Sequence, residues 1–202
     1  MPQPDHISAL GVPDPAGLDD DLKLIWQKCV EKLGFVPNVF SMYSKRPQRL
    51  RNFMAMYNEI MYSASGLSKL EREMVAVVVS SANRCYYCLV AHGAAVRQMS
   101  GDPELGEMMA LNHRVAKLDP RQRAMLDFAW KLTTAPNLVD DADRDTLRAA
   151  GLSEEDIFDL AETTAFFNLS NRMASATDMM PNPEYHRSDR GPGFVPPAGK
   201  KK

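Results

Sequence analysis

LSKLEREMVAVVVSSANRCYYCLVAH, residues 67–92, decides the fold. Its middle carries Val75, Val77, Val78 and Val79, β-branched residues that taken alone favour a strand. The stretch shows neither period-two alternation nor a hairpin turn, and its start carries a helix signal instead. Ser68, with Glu71 three positions on, forms a capping box. The hydroxyl satisfies a free backbone N–H of the first turn, and the carboxylate reaches back to the Ser68 amide. We therefore read a buried helix beginning at Lys69, with Glu73 in its first turns.

The flanks agree. Residues 19–33 place Leu22, Ile25, Trp26, Cys29, Val30 and Leu33 at spacings of three and four, one apolar stripe, and Gly34 ends it. Pro37 disfavours helical geometry at Val36 and suits the start of a short second helix. Residues 47–61 repeat the stripe through Leu50, Phe53, Met54, Tyr57, Ile60 and Met61. Further helices are expected over 84–99, 119–133, 140–150 and 153–173, the last opened by Ser153 and Asp156 as an analogous capping pair. The fold class is all-α.

An echo suggests an internally duplicated helical unit. Gly66-Leu67-Ser68 matches Gly151-Leu152-Ser153, and at the same offset Ala76 pairs with Ala161 and Asn83 with Asn168. The second copy puts Ser170 and Met173 where the first has Cys85 and Cys88, so only one half can be reactive. Gly and Pro gather at both ends. The expected organisation is an extended Pro-rich arm over 1–20, a helical domain over 21–180 and an extended tail over 181–202, with Lys200 to Lys202 solvated.

The 202 residues suffice for a substantial core without disulfide staples. A formal net charge of -2 supplies no basic field for nucleic acid or an acidic membrane. The start lacks the basic and apolar regions of a signal peptide. The longest apolar run, Met74 to Val79, is far short of the roughly 20 residues that span a bilayer. The expectation is a cytoplasmic protein that meets a small molecule or another protein. In a reducing compartment a Cys-x-x-Cys signals metal binding or thiol chemistry rather than scaffolding.

Only three cysteines occur, and two of them form Cys85-Tyr86-Tyr87-Cys88, with His92 following and Glu73 preceding. On a helix Cys85, Cys88, Leu89 and His92 share one face. The positive end of the helix favours a thiolate there, and Arg84 adds to that field if turned inward. His92 can take a thiol proton, and a buried Glu73 can orient the imidazolium. Attack of a thiolate on a peroxide gives a sulfenic acid, and a second thiol within reach converts it to a disulfide. An external dithiol must then reduce the pair by exchange.

Rival readings fit less well. Zinc would find three ligands in Cys85, Cys88 and His92 but no fourth, and no second Cys-x-x-Cys exists. No His-x-Glu of the zinc deaminase kind precedes the thiols. Leu89 stands where attached haem needs histidine, no βαβ pattern supports a thioredoxin-like reading, and no nucleotide fingerprint appears. Cys29 reads as a core residue of the first stripe. His113 reads as a surface or satisfied histidine, and Asn168, Asn171 and Arg172 line a pocket or pair across an interface.

Glu73, eleven residues, Cys85, two, Cys88, three, His92 resembles the core signature of the AhpD-like alkylhydroperoxidases of the carboxymuconolactone decarboxylase superfamily. Leu33-Gly34-Phe35-Val36-Pro37-Asn38 and Phe167-Asn168-Leu169-Ser170-Asn171-Arg172 resemble its peroxidase-related branch. The resemblance implies an all-helical fold, a homo-oligomer (trimer or hexamer) and no metal or organic cofactor. It implies a thiol-dependent peroxidase acting on a hydroperoxide, with Cys88 attacking, Cys85 resolving, and Glu73 and His92 relaying protons. Electrons would come from a dithiol protein, lipoyl- or thioredoxin-like. Well-known members carry a histidine where this chain has Tyr87, whose pKa of about 10 rules out a neutral-pH base. Tyr87, Arg84 and Asn168 are the further pocket candidates. The alternatives are a redox-responsive binding or oligomer-switch protein, and an enzyme of carboxymuconolactone decarboxylase type.

Overall fold

The computed structural model describes residues 3–190. Among them are nine α-helices: α1 (Asp20–Leu33), α2 (Asn38–Tyr43), α3 (Pro47–Tyr62), α4 (Lys69–Ala82), α5 (Tyr86–Ser100), α6 (Pro103–Asn112), α7 (Pro120–Thr134), α8 (Asp141–Ala149) and α9 (Glu154–Ala176), with no strand. The all-α expectation holds. The pattern of apolar residues does not reveal α6. Its signal lies in Asp102-Pro103-Glu104, where the Asp102 carboxylate accepts from the Glu104 amide at 2.8 Å and proline opens the first turn. No described helix is long and apolar enough to cross a membrane.

Valine-rich α4 is the axis of the molecule. Arg72 to Ser80 are all buried, with α5, α6, α7 and α9 packed around them. A β-branched residue costs a helix about 0.5 kcal/mol, whereas burying its side chain returns about 1.5 kcal/mol or more. Packing therefore overrides propensity at each of the four valines. The capping box is present as expected, Glu71 N–H donating to Ser68 Oγ at 3.2 Å and Ser68 N–H to Glu71 Oε2 at 2.7 Å. Buried Arg72 donates to the carbonyls of Ile60, Ser63 and Leu67, which fastens the end of α3 to the start of α4.

The two halves of the sequence echo lie side by side. Arg121 of α7 donates to the carbonyls of both Gly66 and Gly151, at 3.0 and 3.2 Å. It also lies within ion-pair range of Glu71 and Asp156, the acids of the two capping boxes. At the far ends Asn83 Nδ2 donates to Asn168 Oδ1 at 3.0 Å. Contact at matched positions on both ends makes α4 and α9 a parallel pair. Gly66 is required by that approach, because a Cβ there would fall 1.9 Å from Asp156 Oδ1.

Gly34 ends α1 in the left-handed region at φ 80°. Of the α1 stripe, Leu22 is fully buried with Leu18 and Leu50, but Val30 and Leu33 are each 53% exposed. The stripe exists, and its C-terminal half covers a cavity rather than solid core.

The first and last described segments lie against the domain. The Ala9 amide donates to the Thr177 carbonyl and the Met180 amide to the Ile7 carbonyl, both at 3.0 Å. Asn38 and Asn182 interlock: the Asn38 amide donates to Asn182 Oδ1, Asn38 Nδ2 to the Met180 carbonyl, and Asn182 Nδ2 to the Val36 carbonyl. Residues 183–190 then cross α5 as a strap with a short 3-10 turn at Pro183–His186. Buried Arg97 of α5 holds the strap, donating to the carbonyls of Tyr185 (2.9 Å) and Ser188 (3.1 Å). Met1, Pro2 and 191–202, including Lys200 to Lys202, lie outside the described residues.

Candidate active site

Cys85 is the N-cap of α5 rather than a residue inside it. The chain turns sharply from α4 at Arg84, which adopts φ 52°. The Cys85 amide donates to the Ser80 carbonyl at 2.9 Å, and its own carbonyl accepts the first bond of α5, from Leu89 at 3.0 Å. Cys88 follows within the first turn, and His92 lies one turn further on the same face. Both thiols are free and 1% exposed.

The Cys85 and Cys88 sulfurs titrate as a pair. Cys88, donating its S–H, is the largest cause that brings Cys85 down to about 7, and the Cys88 amide, the charge of His92 and Ser175 add to it against the cost of burial. Cys88 is pushed well above the ordinary thiol range, first because its proton bonds Cys85 and then by burial, while Asn171 and Ser170 pull the other way. The same contact thus moves the two thiols in opposite directions, Cys85 down and Cys88 up.

Glu73 and His92 meet as the spacing predicts. His92 Nδ1 lies 2.7 Å from Glu73 Oε2, and both side chains are largely buried. The His92 ring also stands edge-on to Phe167, with centroids 4.6 Å apart. Two contacts on different helices fix the imidazole, leaving Nε2 as its working atom.

A cavity of about 640 Å³ opens between α1, α3, α5, α9 and the strap. Its buried end is formed by Glu73, Tyr87, His92, Phe166, Phe167 and Ser170. Of the pocket candidates, Tyr87 lines it; its hydroxyl accepts from the Val39 amide at 3.2 Å, which places it in the anchoring of α2. Burial raises the Tyr87 phenol well above its usual range, so it holds its proton at neutral pH. Arg84 and Asn168 do not line the cavity. Arg84 is exposed, turned outward by its backbone. Asn168 Oδ1 accepts from Asn83 and Arg172, and its Nδ2 donates to Thr133, a cross-link between α4, α7 and α9. Among the described residues no group of three or more His, Cys, Asp or Glu side chains is placed to hold a metal ion.

Of four further contributors, three carry little signal in the sequence. Ser170 lines the cavity beside Cys88 and is traceable only as the echo of Cys85. Asn171, a pocket or interface candidate by sequence, is buried and donates from Nδ2 to Ser80 Oγ at 2.9 Å. Tyr185 enters from the strap, its ring edge-on to Phe35 at 5.0 Å. Cys29, expected in the core, is half-buried on the cavity wall, and burial raises its thiol against the pull of Lys32. His6, His113 and His186 are held elsewhere, by Asp178, Asp127 and Tyr86 respectively.

An all-helical scaffold that opens a helix with two buried thiols and backs them with a histidine–carboxylate pair is the arrangement of the AhpD-like proteins. Residues 47–129 match the model of the carboxymuconolactone decarboxylase family. A peroxidase-related protein from Silicibacter sp. TM1040 is 56% identical, over 94% of this chain and 100% of its own, with a TM-score of 0.90. The AhpD-core, peroxidase-related protein from Ralstonia eutropha JMP134 is 45% identical, over 94% of this chain and 99% of its own, at 0.89. The debrominase Bmp8 shares the fold at 20% identity, over 90% of this chain and 95% of its own, with a TM-score of 0.74. No curated protein matches. The chain belongs to the carboxymuconolactone decarboxylase family, among its AhpD-like, peroxidase-related members.

Proposed function

We propose that the protein is a thiol-dependent peroxidase that reduces hydroperoxides through a Cys85/Cys88 dithiol–disulfide cycle. The observation that carries this reading is the placement of two free, buried thiols at the N-cap and in the first turn of α5, one turn before an imidazole that a buried carboxylate holds at 2.7 Å.

Attack is assigned to Cys88 as the family resemblance implies; neither thiol lines the cavity, and Cys88 lies one turn before His92, which does. Ionised Cys85, the thiol of lower pKa, takes the Cys88 proton and leaves the charge on the Cys88 sulfur. That sulfur attacks the distal peroxide oxygen, so that an S–O bond forms and the O–O bond breaks. The departing alkoxide takes from His92 the proton that the imidazole accepted when Cys85 ionised, and leaves as the alcohol. The Cys85 sulfur then displaces hydroxide from the sulfenic acid, and with the Cys85 proton the hydroxide departs as water. One hydroperoxide and two thiols thus give one alcohol, one water and a disulfide. A dithiol protein of lipoyl or thioredoxin type restores the thiols by exchange.

A homo-oligomer is part of this proposal. Phe158, Leu169 and Met173 of α9 are 66%, 50% and 37% exposed. They fall on one helical face together with exposed Ala165. Light scattering of Leu169→Glu should give a smaller particle than wild type; equal masses would remove this face from the assembly.

The deciding experiment follows peroxide consumption with a dithiol reductant. Equal turnover by wild type and Cys88→Ser would defeat the reading. Stoichiometric oxidation of both thiols without turnover would assign the pair to a redox-responsive switch, and activity that survives loss of both thiols would point to decarboxylase-type chemistry.

A further inference from the structure

Five residues of α1 line the cavity: Ile25, Lys28, Cys29, Lys32 and Leu33. Their spacings of three and four are those of a stripe turned toward a core, where apolar side chains are the rule. Two of the five are lysines. Both are exposed at the outer end of the cavity, and among the described residues neither belongs to an ion pair. Glu31, between them in sequence, is turned to the outer side and accepts from Gln27 at 2.8 Å. Glu73, the one carboxylate among the described lining residues, lies at the buried end and is taken up by His92.

The cavity is therefore charged in opposite senses at its two ends, with an aromatic barrel of Phe40, Phe53, Phe166 and Phe167 between them. From this we infer that it binds an amphipathic carboxylate, with the apolar body along the phenylalanines and the carboxylate at Lys28 and Lys32. The polarity fixes the orientation. An anionic group at the buried end would lose its water and face Glu73, whereas at the mouth it stays half-solvated between two ammonium groups. Four residues of helix separate the lysines by about 6 Å along the axis, within reach of one carboxylate for two flexible side chains. The part of the apolar body remote from the carboxylate then lies toward His92. A cavity of about 640 Å³ is of the size that encloses small organic ligands.

Joined to the proposed peroxidase reading, and resting on it for the reactive group alone, the substrate class is the hydroperoxide of a long-chain carboxylic acid. The experiment compares linoleic acid hydroperoxide with its methyl ester in wild type and in Lys28→Gln/Lys32→Gln. The ratio of the two kcat/KM values cancels differences in overall activity. Wild type should favour the acid, and the double variant should lose about tenfold of that preference, through KM. An acid-to-ester ratio unchanged by the substitutions overturns the inference.

A second arm separates this inference from the peroxidase reading. Unoxidised linoleate should displace a fluorescent fatty acid from the full-length protein, and more weakly from the double variant. If linoleate binds in this lysine-dependent way while no hydroperoxide is consumed, the peroxidase reading falls and the carboxylate site stands. If cumene hydroperoxide is turned over but linoleate binds equally to both proteins or to neither, the carboxylate site falls alone.

Discussion

His92 and Glu73 come from different helices, α5 and α4, and meet at 2.7 Å with the carboxylate almost wholly buried. A carboxylate enclosed in this way is stabilised by its partner, and it holds the imidazole in one tautomer with Nε2 directed away from it. Glu73→Gln keeps the shape and a hydrogen-bonding group but removes the charge. Turnover should fall about 100-fold, with a smaller change in KM, as expected when a general acid–base group loses its orienting partner. Steady-state kinetics across pH tests this; an unchanged kcat would remove the pair from the proton path.

The thiols should titrate unequally. Ultraviolet thiolate absorbance, or the rate of alkylation, should show the first ionisation of the reduced pair near pH 7, where the Cys88 donor holds Cys85. The second should appear only far into alkali, because Cys88 is pushed up by the same bond and by burial. Cys88→Ala removes the donor, so the Cys85 pKa should climb back toward the ordinary thiol range. A Cys85 value that stays near 7 in that variant would place the cause in the helix end and His92 instead.

Much of this site was legible because it is local. Ser68-Glu71 and Ser153-Asp156 are capping signals within one turn, and Cys85, Cys88 and His92 share a helical face by spacing alone. Glu73 required the step that its helix packs against theirs, which its valines supplied by demanding burial. Arg84 and Asn168 lie off the cavity for different reasons. Arg84 directly precedes Cys85, but a left-handed backbone turns it outward, and Asn168 takes the pairing role, in the asparagine cross-link between α4 and α9. Tyr185, Lys28 and Lys32 reach the cavity from segments distant in sequence, so no local pattern links them to the thiols.

His113 should make stability depend on acid. Burial lowers its pKa, opposed by Asp127 at 3.0 Å. As pH falls through the unfolded value of about 6.5, the unfolded chain takes up a proton that the folded chain refuses, so folding loses free energy below that point. Urea midpoints should therefore drop between about pH 7.5 and about pH 5.5 in wild type, and His113→Gln should flatten that difference. A variant with an undiminished drop would assign the acid sensitivity to another group.

Gly66→Ala should be destabilising through contact alone. The added methyl would lie 1.9 Å from Asp156 Oδ1, so either the capping box of α9 opens or the α4 and α9 starts separate. The expected loss is about 1–3 kcal/mol. Thermal and urea unfolding would measure it. Gly66→Ala combined with Asp156→Ala, which makes room, should lose less than the sum of the two single changes; strict additivity would show that the two residues do not meet.

Arg97 gives the strap an importance that its position near the chain end conceals. The residue is 4% exposed, and its bonds to the strap run to the carbonyls of Tyr185 and Ser188. A chain cut after Asn182 would remove both acceptors and uncover the guanidinium, losing hydrogen bonds to a charged group that are worth about 1.5–3 kcal/mol each. Trimming this end for crystallisation or fusion would therefore create an electrostatic lesion beneath the helix that carries both thiols.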